Sequence, residues 1–183
     1  FEIGKVILSA PDYEYLAYDA LLNEIYKQKI PYAFADDDED YVLGDLELDF
    51  LFPFEPCTGD SMDNVNNASP VIRASWRDVS ILFTGDAEME VEEALLAAGV
   101  DMEADLLKAG HHGSKSSITL EFLEAVGAEF MLISCAAGND YGHPHSETLE
   151  KAGDLDMEVW RTDLEGRIAV IFGEGGYEVR TER

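Results

Sequence analysis

Alternation and helical spacing of apolar residues divide the chain into many short elements. Residues 46–52 alternate strictly between apolar and polar positions, as a strand with one buried face does. Residues 5–8 and 29–34 read as short strands, the second kept near a sheet edge by Pro31. Between them, residues 13–28 carry Leu16, Ala20, Leu21 and Ile25 at helical spacing. Two strands, 70–75 and 79–83, flank the turn Trp76-Arg77-Asp78. Residues 88–98 open with acidic side chains, place Val91, Ala94, Leu95 and Ala98 on one face, and stop at Gly99, which predicts a helix. A strand at 105–109, a helix at 119–126, a buried strand at 130–135, a short helix at 147–152 and a strand at 158–162 follow. Residues 167–172 and 177–180 form a closing hairpin around Gly173-Glu174-Gly175-Gly176.

The connections are polar. Residues 36–40 are an acidic loop without the spaced ligands of a calcium loop, 43–45 a turn, and 57–67 a loop. The order is a βα opening, a meander, an alternating βαβαβαβ run and a hairpin. That mixture predicts a layered α/β sandwich forming a single domain over residues 1–183.

Composition adds two constraints. The chain carries 39 acidic and 12 basic residues, a net charge of −27. Phosphate backbones are held mainly by Lys and Arg, so such a surface does not favour a long polyanion and is read as a device for solubility. No apolar run approaches the roughly 20 residues of a membrane-spanning helix, and Phe1-Glu2-Ile3-Gly4 lacks the basic start of a signal peptide. The chain starts at Phe1 and not at Met, as an excised or processed piece would. Cys57 and Cys135 make neither a CxxC pair nor a disulfide framework.

The chemistry concentrates after three strand-like runs. All four histidines sit in two close pairs, His111 with His112 and His143 with His145, and Asp86 follows the run 80–85. Carboxylate and neutral imidazole are ligands for zinc and related cations. Gly85 lets the chain turn sharply before Asp86, whose plain alternative role is to cap the helix beginning near Glu88. Gly110 and Gly113 allow close backbone approach around the first pair. Ser114, Ser116 and Ser117 can cap the next helix or offer donors to an anion, and Lys115 is a natural phosphate contact. The His-x-His spacing of His143 and His145, stiffened by Pro144, puts both rings on one side of an extended loop, and Ser146 would cap the helix that follows. Surface loops with incidental histidines are the plain alternative.

Thr84-Gly85-Asp86, Leu107-Lys108-Ala109-Gly110-His111-His112-Gly113-Ser114, Tyr141-Gly142-His143-Pro144-His145 and Arg161-Thr162-Asp163 through Gly166 occur in this order. From about Val6 onward the chain resembles the metallo-β-lactamase-fold hydrolases, and within them the competence DNA-uptake (ComEC-like) branch. Asn66-Asn67-Ala68-Ser69 looks like that branch's Asn-rich segment. The resemblance implies an αββα four-layer sandwich, of class α/β (α+β), with residues 1–183 forming its larger C-terminal part. It implies two divalent metal ions, zinc or manganese. Asp86 would bridge them, His143 or His145 would fill a late ligand position, and His111 or His112 would be a ligand or a proton donor. Asn67, Ser114, Lys115 and Tyr141 would contact substrate. The implied activity is phosphodiester hydrolysis on nucleic acid or a small phosphoester. The implied setting is a larger protein with a membrane-channel domain, on the extracytoplasmic face if competence-type and otherwise cytoplasmic or secreted. The family's early His-x-His-x-Asp-His motif does not occur, since no histidine precedes His111. This chain alone is therefore expected to bind metal weakly and to lack activity, with further ligands upstream. A hydrolase of another ester and a non-catalytic partner-binding domain are the competing expectations.

Overall fold

The structure, a computed structural model, describes residues 2–9, 11–12, 14–36, 40–59 and 61–183. A small unit comes first: β1 (Val6–Leu8), α1 (Leu16–Gln28) and β2 (Tyr32–Phe34), with the two strands paired in parallel. Then β3 (Tyr41–Leu43), β4 (Leu46–Phe52), β5 (Val71–Trp76) and β6 (Val79–Phe83) form an antiparallel meander. From there strands and helices alternate: α2 (Met89–Ala98), β7 (Leu106–Lys108), α3 (Leu120–Val126), β8 (Phe130–Ile133), α4 (Ser146–Asp154) and β9 (Glu158–Arg161). Each helix is the crossover that lets its flanking strands run parallel. The result is one seven-stranded mixed sheet in the order β3-β4-β5-β6-β7-β8-β9. A short α5 (Thr162–Glu165) leads into the hairpin β10 (Ile168–Gly173) and β11 (Gly176–Thr181).

Successive strand residues face opposite ways, and both faces of the sheet are covered. Leu82, Leu107 and Met131 are fully buried against Val91, Leu95, Phe122, Leu123 and Ala152 of α2, α3 and α4. Their neighbours Ile81, Leu106 and Phe130 point the other way, onto Val170, Phe172 and Tyr177 of the hairpin. Burial on both faces explains why these strands read as continuous apolar runs. The mixed α/β class expected from the sequence is present. Among the described residues no helix is long and apolar enough to cross a membrane.

Several boundaries differ from expectation. Tyr41–Leu43 is a strand that takes in Leu43 of the expected turn; Val42 and Leu43 are 67% and 64% exposed, so the strand has no buried face to betray it. α1 starts at Leu16, and Tyr13 lies outside the described residues. Of the expected apolar face of α1, only Ile25 is buried. Most of the acidic loop, residues 37–39, is also outside the described residues, while Asp40 accepts a hydrogen bond from the Phe50 N–H at 3.3 Å. The loop before β5 holds a tight 3-10 turn, Val65–Ala68, capped by the side chain of Asn64. Thr162 turns into α5 instead of ending a strand, and α4 begins at Ser146, with His145 and not Ser146 at its cap position.

Candidate active site

Because β6, β7, β8 and β9 are parallel, their carboxyl ends open on one edge, the usual place for ligands in such sheets. After β6, Gly85 has φ +55, and a Cβ there would lie 2.8 Å from the Ser69 Cβ. The next N–H, of Asp86, donates to Ser69 Oγ at 3.1 Å. Asp86 does not cap α2, whose cap position is Glu88. After β7, Gly110–Gly113 forms a tight turn in which His111 and His112 both adopt positive φ, 42° and 57°. The turn is clasped to the β6 loop by the His111 N–H on the Gly85 carbonyl at 3.0 Å. A Cβ on Gly110 would sit 2.9 Å from Thr84 Oγ1 and 3.3 Å from the Ala87 carbonyl oxygen, so a side chain there would force buried Thr84 to shift.

The two adjacent histidines face different partners. His111 Nδ1 lies 3.1 Å from Glu88 Oε1, close but off the line of an N–H bond, and that nitrogen is buried without an aligned partner. His112 Nδ1 lies 2.7 Å from the Ser134 carbonyl oxygen. A carbonyl carries no proton, so Nδ1 is the donor and neutral His112 presents a lone pair at Nε2. That Nε2 is 3.6 Å from Asp86 Oδ1. Two acceptors held face to face at this distance call for a positive centre between them, either a proton or a cation. Two ligands at about 2.1 Å in a tetrahedral shell stand roughly 3.3–3.5 Å apart, so the pair has the spacing and the donor chemistry of one side of a divalent-metal site.

His143 adjoins them, its ring centroid 5.5 Å from His111, 6.4 Å from His112 and 5.0 Å from His145. Burial, and then the three neighbouring imidazoles, hold its pKa below the ordinary value of 6.5, so it is neutral and able to ligate. His145 is placed differently: its Nδ1 accepts the Lys115 N–H at 3.1 Å, which leaves the proton of the neutral ring on Nε2. His145 therefore offers a donor where His143 offers a lone pair. Asn139 fixes this loop, accepting from the Tyr141 and His143 N–H groups at 3.2 and 3.0 Å and donating to the His143 carbonyl at 2.6 Å. A hollow of about 380 Å³, lined by His112, Ser134, Cys135, Asn139, Tyr141 and His143, opens beside the rings. Among the described residues no three His, Cys, Asp or Glu side chains converge as a metal cluster.

Other expected contacts are placed elsewhere. Both ends of the Asn67 amide are committed to the start of α2, accepting from the Glu88 N–H at 3.0 Å and donating to Glu90 Oε2 at 3.3 Å. Ser114 is 5% exposed and bonds Ser116, while Thr119, not one of the three serines, caps α3. Lys115 is exposed beside His145. Glu88 and Ser134 carry no signal in the sequence because each acts through a histidine distant in the chain, whereas Asn139 braces its own loop through bonds to residues two to four positions away. The motif Arg161-Thr162-Asp163 proves to be a strut. The Arg161 guanidinium grips Asp163 at 3.0 and 2.6 Å, and Asp163 Oδ1 accepts from the Cys135 thiol at 3.3 Å. Thr162 Oγ1 accepts from the Cys135 N–H at 2.9 Å and donates to its carbonyl at 2.8 Å, locking the end of β8 to β9. Below the site, burial lowers the pKa of Lys108, whose ammonium donates to the Ala109 carbonyl at 2.8 Å while the charges of Asp86 and Cys135 oppose the shift.

No protein-family model matches the chain. It is 35% identical over 126 residues to ComE operon protein 3 of Bacillus subtilis (strain 168), a match covering 69% of this chain and 16% of that protein. It is 31% identical over 139 residues to competence protein ComA of Neisseria gonorrhoeae, covering 75% of this chain and 20% of that protein. Recombination protein 2 of Haemophilus influenzae is 31% identical over 118 residues, covering 64% of this chain and 15% of that protein. The chain thus spans about a fifth or less of the length of these curated relatives, and it is similar to one segment of each.

Proposed function

We propose that the chain is the later, ligand-bearing part of a metal-dependent phosphodiesterase on a metallo-β-lactamase sandwich, acting in competence DNA uptake. One observation carries the reading: the Nε2 lone pair of His112 and the Asp86 carboxylate, fixed face to face at 3.6 Å. These two would form one side of a divalent-ion site, with neutral His143 beside them, and further ligands would come from outside this chain. A second ion would sit where Asp86 could bridge. When bound, such ions neutralise charge developing on a phosphoryl oxygen and acidify a water. The chain's own residues supply the frame. The Ser134 carbonyl sets the tautomer of His112, Asn139 holds the His143 loop, and His145 presents an N–H to a phosphate oxygen. On the resemblance drawn from the sequence motifs, the substrate would be nucleic acid and the setting a membrane channel's extracytoplasmic side. The charge of −27 favours the second reading, a small phosphoester.

The test extends the chain upstream to include any further ligands, adds Mn²⁺ or Zn²⁺, and assays a model diester alongside single- and double-stranded DNA. Cleavage of DNA supports the nuclease reading. Cleavage of the model diester alone moves the assignment to a small phosphoester. No cleavage of either leaves a non-catalytic binding domain.

A further inference from the structure

Beside the site, three rings form a near-parallel ladder. Tyr141 stacks on His143 with centroids 5.6 Å apart and planes 25° apart, and His143 stacks on His112 at 6.4 Å and 24°. Tyr141 is 78% exposed, so burial does not explain where its ring stands. Its position comes from the loop, because the Asn139 carboxamide accepts the Tyr141 N–H and braces His143 on both sides. An aromatic ring already stacked on one face and open to solvent on the other offers that free face to another ring. The hollow beside it, about 380 Å³, has no Lys or Arg in its lining. With a net charge of −27 behind it, this hollow cannot draw a phosphate-bearing ligand by a basic groove. The complement to such a hollow is a planar, uncharged part of the ligand.

We propose that Tyr141 is a stacking platform for one nucleobase of a single-stranded nucleic acid, holding the adjoining phosphodiester beside Asp86 and His112. The strand must be single because a base paired in a duplex has no free face to offer. The placement of the phosphate rests on the phosphodiesterase reading, but the stacking is read by binding alone.

Fluorescence anisotropy on this chain would compare a labelled deoxyadenylate hexamer with an abasic hexamer of equal length and charge. Stacking of one base predicts roughly 5- to 100-fold tighter binding of the base-bearing strand. Tyr141→Leu should erase that ratio, while Tyr141→Phe and Tyr141→Trp keep it. Equal binding of the two strands, no binding of either, or a ratio surviving Tyr141→Leu overturns the proposal. Model-diester cleavage by the upstream-extended chain, assayed in parallel, separates the two ideas. Cleavage without base preference removes the platform and leaves the phosphodiesterase, whereas base preference without cleavage does the reverse.

Discussion

His112 donates from Nδ1 to the Ser134 carbonyl at 2.7 Å, and that contact decides what the opposite edge of the ring can do. The second nitrogen is left as an acceptor, 3.6 Å from Asp86 Oδ1. A backbone carbonyl that orients a histidine is a common outer support of a ligating imidazole. In the protein extended upstream, His112→Ala and Asp86→Ala should each weaken Mn²⁺ binding by calorimetry about 10-fold or more and abolish metal-dependent turnover. Both side chains are about half exposed, so thermal stability should move by no more than about 0.5 kcal/mol. Unchanged metal affinity in either variant would remove that residue from the site.

Gly113 sets the distance between the two histidine loops. Its φ is +81°, and an added Cβ would lie 2.8 Å from the Pro144 Cβ and 3.3 Å from its Cα. Its carbonyl also accepts from the His145 N–H at 3.0 Å and the Thr148 hydroxyl at 3.1 Å. Gly113→Ala therefore combines left-handed strain with a clash against a stiff ring, and should cost about 2–4 kcal/mol. Gly142 is the control: its φ is +75°, but nothing lies within 4 Å of a built Cβ. Gly142→Ala should cost only about 1 kcal/mol. Urea midpoints of the two variants measure the difference, and equal losses would show that the contact with Pro144 is not tight.

Periodicity succeeded where burial was strong. The buried strands β6, β7 and β8 and the helices that cover them were legible, because Leu82, Leu107 and Met131 have apolar neighbours on both faces. It missed β3, where Val42 and Leu43 are apolar yet exposed, and at α1 it found the helix but not its burial, since Leu16 and Leu21 are exposed. The ligand-type residues were legible because histidine is rare in this chain and Asp86 directly follows a strand. Their division of labour was not. Which nitrogen of His112 or His145 carries the proton depends on Ser134 and Lys115, residues 22 and 30 positions away. Asn67 illustrates the converse: an amide at a plausible substrate position is used to tie the loop before β5 to the start of α2.

Glu92 tests a buried clasp behind the site. It is 3% exposed and accepts the N–H groups of Ile118 at 2.5 Å and Thr119 at 2.8 Å. Ile118 has φ +66, an unfavourable geometry for a β-branched residue, and its carbonyl takes the Lys151 ammonium at 2.8 Å. Glu92→Gln keeps the volume but can turn only one oxygen to two donors, so it should cost about 1–3 kcal/mol. Burial raises the Glu92 pKa above the ordinary 4.5, outweighing the hydrogen bonds from Thr119 and Ile118 and the charge of Lys151. A raised pKa means that the folded chain holds this proton more tightly than the unfolded chain. Its contribution is full below pH 4.5 and is lost as pH rises through the folded value. The stability gap between wild type and Glu92→Gln, from urea unfolding, should therefore narrow as pH rises above 4.5. A gap independent of pH would contradict the burial of an ionisable group there.

Asp163 behaves in the opposite sense. Its hydrogen bonds from Arg161 hold its carboxyl below the ordinary 3.8, against the opposing effect of burial and with help from the Cys135 thiol. A depressed pKa stabilises the fold above that value, and the stability is lost as pH falls through the folded pKa. Asp163→Asn should cost about 1–3 kcal/mol at pH 7 and flatten the loss of stability below pH 4. Arg161→Lys should not substitute for the native pair, because a single ammonium cannot make the two parallel contacts of the guanidinium. The thiol gives an independent readout. Burial raises the Cys135 pKa most, and the hydrogen bond and charge of Asp163 raise it further. Asp163→Asn should lower that pKa in part and quicken alkylation of Cys135 at pH 8, measured with Cys57 replaced by Ser. Because Cys135 lines the hollow beside His112 and Tyr141, the same change should loosen the end of β8 there. Ser134, whose carbonyl fixes His112, is its immediate neighbour. Faster alkylation with unchanged metal affinity would confine the strut to stability, whereas weaker metal binding would tie Arg161 and Asp163 to the geometry of the site.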